Sequence, residues 1–255
     1  MKRKLRNFFA FLLTLLLIPT LVFAQSYSLT GTDIHLTVDD TMWYVFTRDN
    51  IKDNPELVEL GLTYEDMTSI FEENEAYMDA LLVYEDGAFL ELFVRKMVVE
   101  DVELVNLSNY SNKEVEEFAK GVAEEIDGAT SELYESKYKF AKVEFYDDEL
   151  DYYVCEFVTY VNKDLYVVSF QSLTEFSDWE YEEMESIVNS VNFNIDESLK
   201  EPKSNILDGV LSTGLKGGLV GGIVGLISMG IKKFKNKDND IEEYISVANQ
   251  DNENT

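Results

Sequence analysis

Residues 152–173 read YYVCEFVTYVNKDLYVVSFQSL, two apolar runs separated by a short polar turn. Both runs are rich in β-branched and aromatic residues and have the length of strands. Because Asn162-Lys163-Asp164 leaves room only for a tight turn, the stretch predicts an antiparallel hairpin. Alternation along the first run places Cys155 on the same face as Tyr153 and Phe157, which predicts a buried and unreactive thiol.

Similar runs occur throughout the chain on the N-terminal side of this hairpin. Five further strands are predicted, at residues 34–38, 42–47, 76–84, 89–99 and 137–146. The Asp-Gly step at 86–87 lies between apolar runs and indicates a hairpin. We expect the first two strands to pair around the turn at Asp39-Asp40.

Apolar residues at helical spacing predict three helices, which begin after the N-cap residues Thr63, Ser111 and Ser177. Glu114 and Glu180 each follow a cap by three residues and complete a capping box, and Phe176 can pack on Tyr181 across the start of the last helix. Short connections between consecutive strands imply antiparallel pairing. The predicted fold class is therefore α+β, with an antiparallel sheet of six to seven strands and helices packed on it.

The order of these elements is similar to a known fold. The residues that carry the resemblance are Leu165-Tyr166-Val167-Val168-Ser169-Phe170-Gln171, the acidic helix after them and Ser190-Val191-Asn192-Phe193. From about residue 34 to 193 the chain resembles the Mog1/PsbP-like fold, including bacterial envelope proteins of the DcrB type. That resemblance implies an accessory or binding role, and it implies no catalytic residue.

The N-terminus has the pattern of a secretory signal. Lys2, Arg3, Lys4 and Arg6 precede an apolar stretch at 8–24 that ends in Val22-Phe23-Ala24. We expect residues 1–24 to be a signal peptide that is cut after Ala24, and an uncleaved anchor helix is the alternative.

A second apolar segment, at residues 210–231, is long enough to cross a bilayer. Four lysines follow it at once and form a stop-transfer pattern, namely Lys232, Lys233, Lys235 and Lys237. Lys216 lies near the outer end of this span, where its stem can reach the interface. The prediction is a single-pass protein of the cell membrane, with an extracytoplasmic domain at 25–199, a linker at 200–209, a transmembrane helix at 210–231 and a cytoplasmic tail at 232–255. The transmembrane helix departs from the usual signal- or lipid-anchored arrangement of the resembling family.

Glycines repeat every four residues in the predicted transmembrane helix. The two rows are Gly217, Gly221 and Gly225, and Gly214, Gly218 and Gly222. Rows of small residues allow close helix packing in lipid, so we expect a homo-oligomer or a pairing with another membrane protein. The alternative is that glycine is simply frequent in membrane helices.

The predicted extracytoplasmic domain is strongly acidic. Residues 25–199 contain 42 Asp and Glu against 10 Lys and Arg, within a chain of net charge −29. Such a field disfavours nucleic acid as a partner and favours divalent cations or basic proteins. The simpler interpretation is that the charge keeps a surface protein soluble.

The residue types that carry most catalysis are scarce. His35 and Cys155 are the only histidine and cysteine, so zinc sites and Ser-His-Asp or Cys-His constellations lack partners. The carboxylates of the acidic turn at 147–151 are of the type that binds calcium, although no EF-hand pattern is present. The sequence therefore predicts no catalytic, cofactor-binding or metal-ligating residue and no cofactor.

Two functional hypotheses follow. In the first, the chain is a membrane-anchored extracytoplasmic binding or accessory protein of a bacterial envelope, which engages a protein partner and has no catalytic activity. In the second, it is an extracytoplasmic ligand or calcium sensor that signals through the transmembrane helix. A hydrolase is third.

Overall fold

The computed structural model describes residues 24–84, 88–98, 104–124 and 126–200. Within them the strands are β1 (Ala24–Ser28), β2 (Ile34–Asp39), β3 (Tyr44–Thr47), β4 (Ala76–Val83), β5 (Phe89–Val98), β6 (Thr130–Glu135), β7 (Lys139–Asp147), β8 (Tyr152–Val161), β9 (Asp164–Ser172) and β10 (Asn192–Phe193). The α-helices are α1 (Glu56–Glu59), α2 (Tyr64–Glu73), α3 (Asn112–Glu124) and α4 (Asp178–Ser190). None of these helices is both long and apolar enough for a membrane crossing. The predicted signal segment before Ala24, the transmembrane helix at 210–231 and the tail lie outside the described residues.

The main sheet has seven antiparallel strands in the order β3-β4-β5-β9-β8-β7-β6. Its centre is the hairpin predicted from residues 152–173, in which Val161 pairs with Asp164 across the turn. The predicted pairing of β4 with β5 is also present, although residues 85–87 of that turn are outside the description. The α+β class and the antiparallel sheet of six to seven strands are thus confirmed.

The predicted pairing of the first two strands is wrong. β2 pairs with β1 and β10 in a separate three-stranded sheet, whereas β3 joins the main sheet beside β4. The backbone N–H groups of Met42 and Trp43 both donate to the carbonyl of Asp39, which closes a turn between the two strands. The chain then passes from one layer to the other, and Trp43 is buried in the core between them.

Both faces of the main sheet are covered. The three-stranded sheet and α4 pack on the first face, where Cys155, Phe157 and Phe170 lie. Helices α2 and α3 pack on the second face, in two separate apolar clusters. Because both faces are covered, the central strands β8 and β9 are buried at nearly every residue.

The helix starts follow the sequence pattern. Ser177 and Glu180 form the predicted capping box of α4, and the rings of Phe176 and Tyr181 are 5.7 Å apart. Thr63 caps α2 with Asp66 as its partner. Before α3 the backbone N–H of Ser111 donates to Glu114 Oε2 at 2.8 Å.

Candidate functional site

Four connections meet at one end of the main sheet, which we call the hairpin end. They are the turn at 40–43, the β4–β5 turn with its described residues 84 and 88, the β7–β8 turn at 147–151 and the β9–α4 segment at 173–177. The strand registers place them together, because Tyr44 pairs with Leu81, Glu91 with Gln171 and Tyr153 with Ser172.

The hairpin end carries a group of exposed apolar side chains. Nine large hydrophobic side chains of the described residues are exposed, and five of them lie in or beside these connections: Met42, Val83, Tyr146, Leu173 and Trp179. Scattered single exposures need no explanation, but a group of them rimmed by polar residues is typical of an interaction surface.

Trp179 is held in place although its side chain is exposed. It lies in the first turn of α4, and its ring meets the edge of the Tyr84 ring at 6.0 Å. The Tyr84 hydroxyl in turn donates to Glu180 Oε1 at 3.0 Å, and Glu180 belongs to the capping box of α4. Because its ring is already held in place, Trp179 would lose little conformational entropy on binding a partner. Tryptophans of this kind are among the side chains that dominate protein interfaces.

A second aromatic pair lies across the sheet. Tyr146 and Tyr153 are cross-strand neighbours with ring centroids 5.0 Å apart. The Tyr146 hydroxyl donates to the Asp151 carboxylate, and this hydrogen bond raises the pKa of Tyr146. Both rings are therefore fixed relative to the acidic turn.

The charge of the hairpin end is of one sign. Its described connections contain no Lys or Arg and six acidic residues, namely Asp40, Asp147, Asp148, Glu149, Asp151 and Glu175. Asp178, the first residue of α4, adds a seventh carboxylate beside them. Arg48, Lys96, Lys137 and Lys163 lie at or near the opposite end of the strands. The exposed aromatic side chains are therefore surrounded by carboxylates, which favours a basic partner.

The chain leaves the domain at the opposite end, which we call the exit end. The side chain of Asn162, in the β8–β9 turn, donates to Asp33 Oδ2 at 2.9 Å and to the Asn194 carbonyl at 2.7 Å. It also accepts from the Asp196 backbone N–H at 2.8 Å. β9 spans nine residues, so the two ends are roughly 30 Å apart at about 3.3 Å per residue.

Carboxylates of the acidic turn at 147–151 accept hydrogen bonds from the turn itself and from the neighbouring Tyr146. Asp147 Oδ1 accepts from the backbone N–H groups of Glu149 and Leu150, each at 3.0 Å. Asp151 accepts from Tyr146, as described above. Within the described part of the chain no three acidic, His or Cys side chains are grouped so that they could hold a metal ion.

Cys155 lies where the sequence placed it, buried on the first face with Phe157. Burial, reinforced by the neighbouring Glu144 carboxylate, raises the pKa of its thiol well above the ordinary value. That environment opposes formation of a thiolate nucleophile. His35 lies in β2. The predicted helix-association glycines and stop-transfer lysines lie outside the described residues.

A polar seam buried on the second face was not predicted from the sequence. It contains Arg95 and Glu156, joined at 2.8 Å, with Ser169 beside them and Gln171 donating to Glu91 at 2.6 Å. Each of these residues occupies an inward position of a strand that otherwise reads as apolar. The only sequence signal is one or two polar residues within each apolar run, and periodicity alone does not show that such residues are buried.

Comparison with known proteins gives a structural likeness only. No family model matches the chain, and no curated protein matches it. The solution structure of the PsbP protein CyanoP from Synechocystis sp. PCC 6803 is similar at 13 % identity and a TM-score of 0.37, over 69 % of this chain and 96 % of that one. A crystal structure from Bacteroides thetaiotaomicron VPI-5482 is similar at 13 % identity and a TM-score of 0.32, over 67 % of this chain and 48 % of that one, so this chain spans about half of its length. One of the two similar structures is thus a PsbP protein, and residues 34–193 of this chain resemble the PsbP-like fold. An identity of 13 % bears on the fold alone.

Proposed function

We propose that this chain is a binding protein of a bacterial cell envelope, and that the hairpin end of its extracytoplasmic domain holds a basic partner protein. The single observation that carries the proposal is the grouping of exposed apolar side chains within an acidic rim, whose described connections contain no Lys or Arg. The exposed apolar side chains would supply binding affinity, and the acidic rim would supply charge complementarity to a basic partner.

The predicted topology would present this surface outward. The described chain ends at residue 200, directly after the exit end, and the predicted transmembrane helix begins ten residues later. A linker of ten residues spans at most about 35 Å when extended. In the proposed arrangement the exit end is the end nearer to the membrane along the chain, and the hairpin end lies roughly 30 Å from it.

Site-specific crosslinking in cells that express the full-length chain tests this proposal. A photo-crosslinking residue replaces either Leu173 at the hairpin end or Ile195 at the exit end, two aliphatic side chains that are each 41 % exposed. We expect a discrete adduct from position 173 and not from position 195. The yield should fall in a D148N/E175Q background, because both carboxylates are exposed parts of the rim.

Two results would contradict the proposal. One is an identical set of adducts from both positions, since that would mean contact without a preferred surface. The other is an adduct at position 173 whose yield is unchanged by D148N/E175Q, since the rim would then play no part. Fractionation of the same cells tests the membrane anchor separately: full-length protein should remain with membranes after an alkaline wash, and protein lacking residues 210–231 should not.

A further inference from the structure

β6 forms an open edge of the main sheet. In the described residues it pairs with β7 and with no other strand, over six residues from Thr130 to Glu135. The opposite edge of this sheet, β3, has four residues, three of them buried. β6 is therefore the longer and more accessible edge of the seven-stranded sheet, and unpaired backbone groups along such an edge can accept another strand.

Contacts on both faces of β6 hold this strand in its extended conformation. The ring of Tyr134 packs edge-on against Phe157 at 5.0 Å, and α3 lies on the other side of the strand. Asn112 of α3 donates to Glu135 Oε2 at 3.2 Å. An incoming strand would find a fixed template and would not have to order it first.

A polar cavity of about 190 Å³ opens beside this edge, lined by Thr130, Ser131, Glu132, Lys142 and Glu144. Lys142 Nζ lies 3.1 Å from Glu132 Oε1 and 2.9 Å from Glu144 Oε1. One ammonium group thus faces two carboxylates, which leaves the cavity with a net negative charge. In strand addition, cavities of this kind take alternate side chains of the added strand and determine which segment binds.

The carboxylates of β6 favour a positively charged partner strand over a negatively charged one. Glu132 and Glu135 lie on opposite faces of the strand, so both faces of an added strand would meet a negative charge. A second copy of this acidic chain would bring like charges together, which disfavours edge-to-edge self-association. A segment that carries lysine or arginine would meet opposite charges instead.

We propose that β6 is a docking edge for an extended, lysine- or arginine-bearing segment of a partner protein, which adds to the main sheet as an eighth strand. This interface goes beyond the proposed function, because it involves the side edge of the sheet and a backbone-pairing mode of recognition.

The probe is an acetylated, amidated eight-residue peptide of alternating Lys and Thr, added to the full-length protein in mild detergent. Hydrogen exchange followed by mass spectrometry should show slower exchange at 130–135, because hydrogen-bonded amides exchange slowly. The matched control peptide has the same side chains but is N-methylated at every residue, which keeps the charge and removes the N–H donors. We expect the control to bind at least about tenfold more weakly.

A pair of protein variants separates strand addition from general attraction to an acidic surface. E132Q/E135Q should weaken binding of the Lys-Thr peptide about tenfold, whereas E65Q/E72Q, which removes two exposed carboxylates on α2, should change it less than twofold. Thermal midpoints of both variants report whether they are folded. Equal binding of the methylated peptide, protection that falls on β1 instead of 130–135, or equal effects of the two variants would each overturn the proposal. The crosslinking at Leu173 concerns a different surface, so failure of either test leaves the other interpretable.

Discussion

The guanidinium group of Arg95 lies 2.8 Å from the carboxylate of Glu156, and both side chains are at least 95 % buried on the second face of the main sheet. Arg95 Nε and Glu156 Oε2 have no hydrogen-bond partner among the described residues, so each charge depends mainly on the other. The pair is therefore a sensitive point in the stability of the domain.

Removal of one partner of this pair should be costly. Arg95→Met leaves a buried carboxylate without its countercharge, and we expect the free energy of unfolding to fall by about 3 to 5 kcal/mol. Denaturant titration of the full-length protein measures this change. The exposed pair Lys113–Glu117 supplies the control, since Lys113→Met should cost less than about 1 kcal/mol. The double variant R95M/E156L should recover most of the loss, and a double variant as unstable as R95M would contradict the pairing argument.

The same carboxylate should make stability depend on pH. Burial raises the pKa of Glu156 above its ordinary value of 4.5, and Arg95 offsets part of that rise. A group whose pKa is higher in the folded state stabilises the fold below its unfolded pKa, and that contribution is lost as pH rises through the folded pKa. Thermal midpoints measured upward from pH 4.5 should therefore decline more steeply for the wild type than for Glu156→Gln. Parallel curves would show that Glu156 does not titrate differently in the two states.

The elements that could be predicted from sequence are those with a strong local signal. The hairpin at 152–173 and the capping boxes at Ser111 and Ser177 depend on neighbouring residues, and all were confirmed. β6, with the sequence TSELYE, was missed because an edge strand needs little apolar character and three of its six residues are Ser or Glu. β10 was missed because two residues carry no periodicity.

Long-range relations could not be predicted from local patterns. The sequence around Asp39-Asp40 indicates two strands and a turn, but it does not say that the turn transfers the chain to another sheet. The hairpin end likewise depends on four connections that are far apart in sequence. Each looks like an ordinary acidic turn alone, and only the strand registers bring Trp179, Leu173 and Tyr146 to one end.

Lys163 occupies a position in the β8–β9 turn that glycine would fill with less strain. Asn162 and Lys163 have φ of 54° and 74°, the left-handed values of a two-residue turn, and glycine is preferred at the second position. Lys163→Gly keeps the backbone N–H that donates to the Val105 carbonyl at 3.1 Å. We expect a gain of about 0.5 to 1 kcal/mol in the free energy of unfolding. Denaturant titration measures it, and a loss of stability would mean that the lysine side chain contributes an interaction of its own.

Asn162 should hold the C-terminal segment to the domain. Its side chain makes three hydrogen bonds, to Asp33, to the Asn194 carbonyl and from the Asp196 N–H, and no aliphatic residue could replace them. Asn162→Gly tolerates the positive φ and removes only the side chain, so a loss of about 1 to 2 kcal/mol would come from those bonds.

Hydrogen exchange distinguishes this local role from a general loss of stability. In Asn162→Gly the amides of 194–199 should exchange faster, while those of β9 should change only as much as the global stability does. The comparison variant is Lys163→Gly, which alters the same turn and leaves the three bonds in place. If the two variants give the same exchange in 194–199, the segment is held by β10 and by the hydrogen bond from the Asn194 N–H to the Asp33 carbonyl, without a contribution from Asn162. If exchange rises in Asn162→Gly alone, this one side chain fixes the point at which the chain leaves the domain, and with it the direction in which the hairpin end is presented.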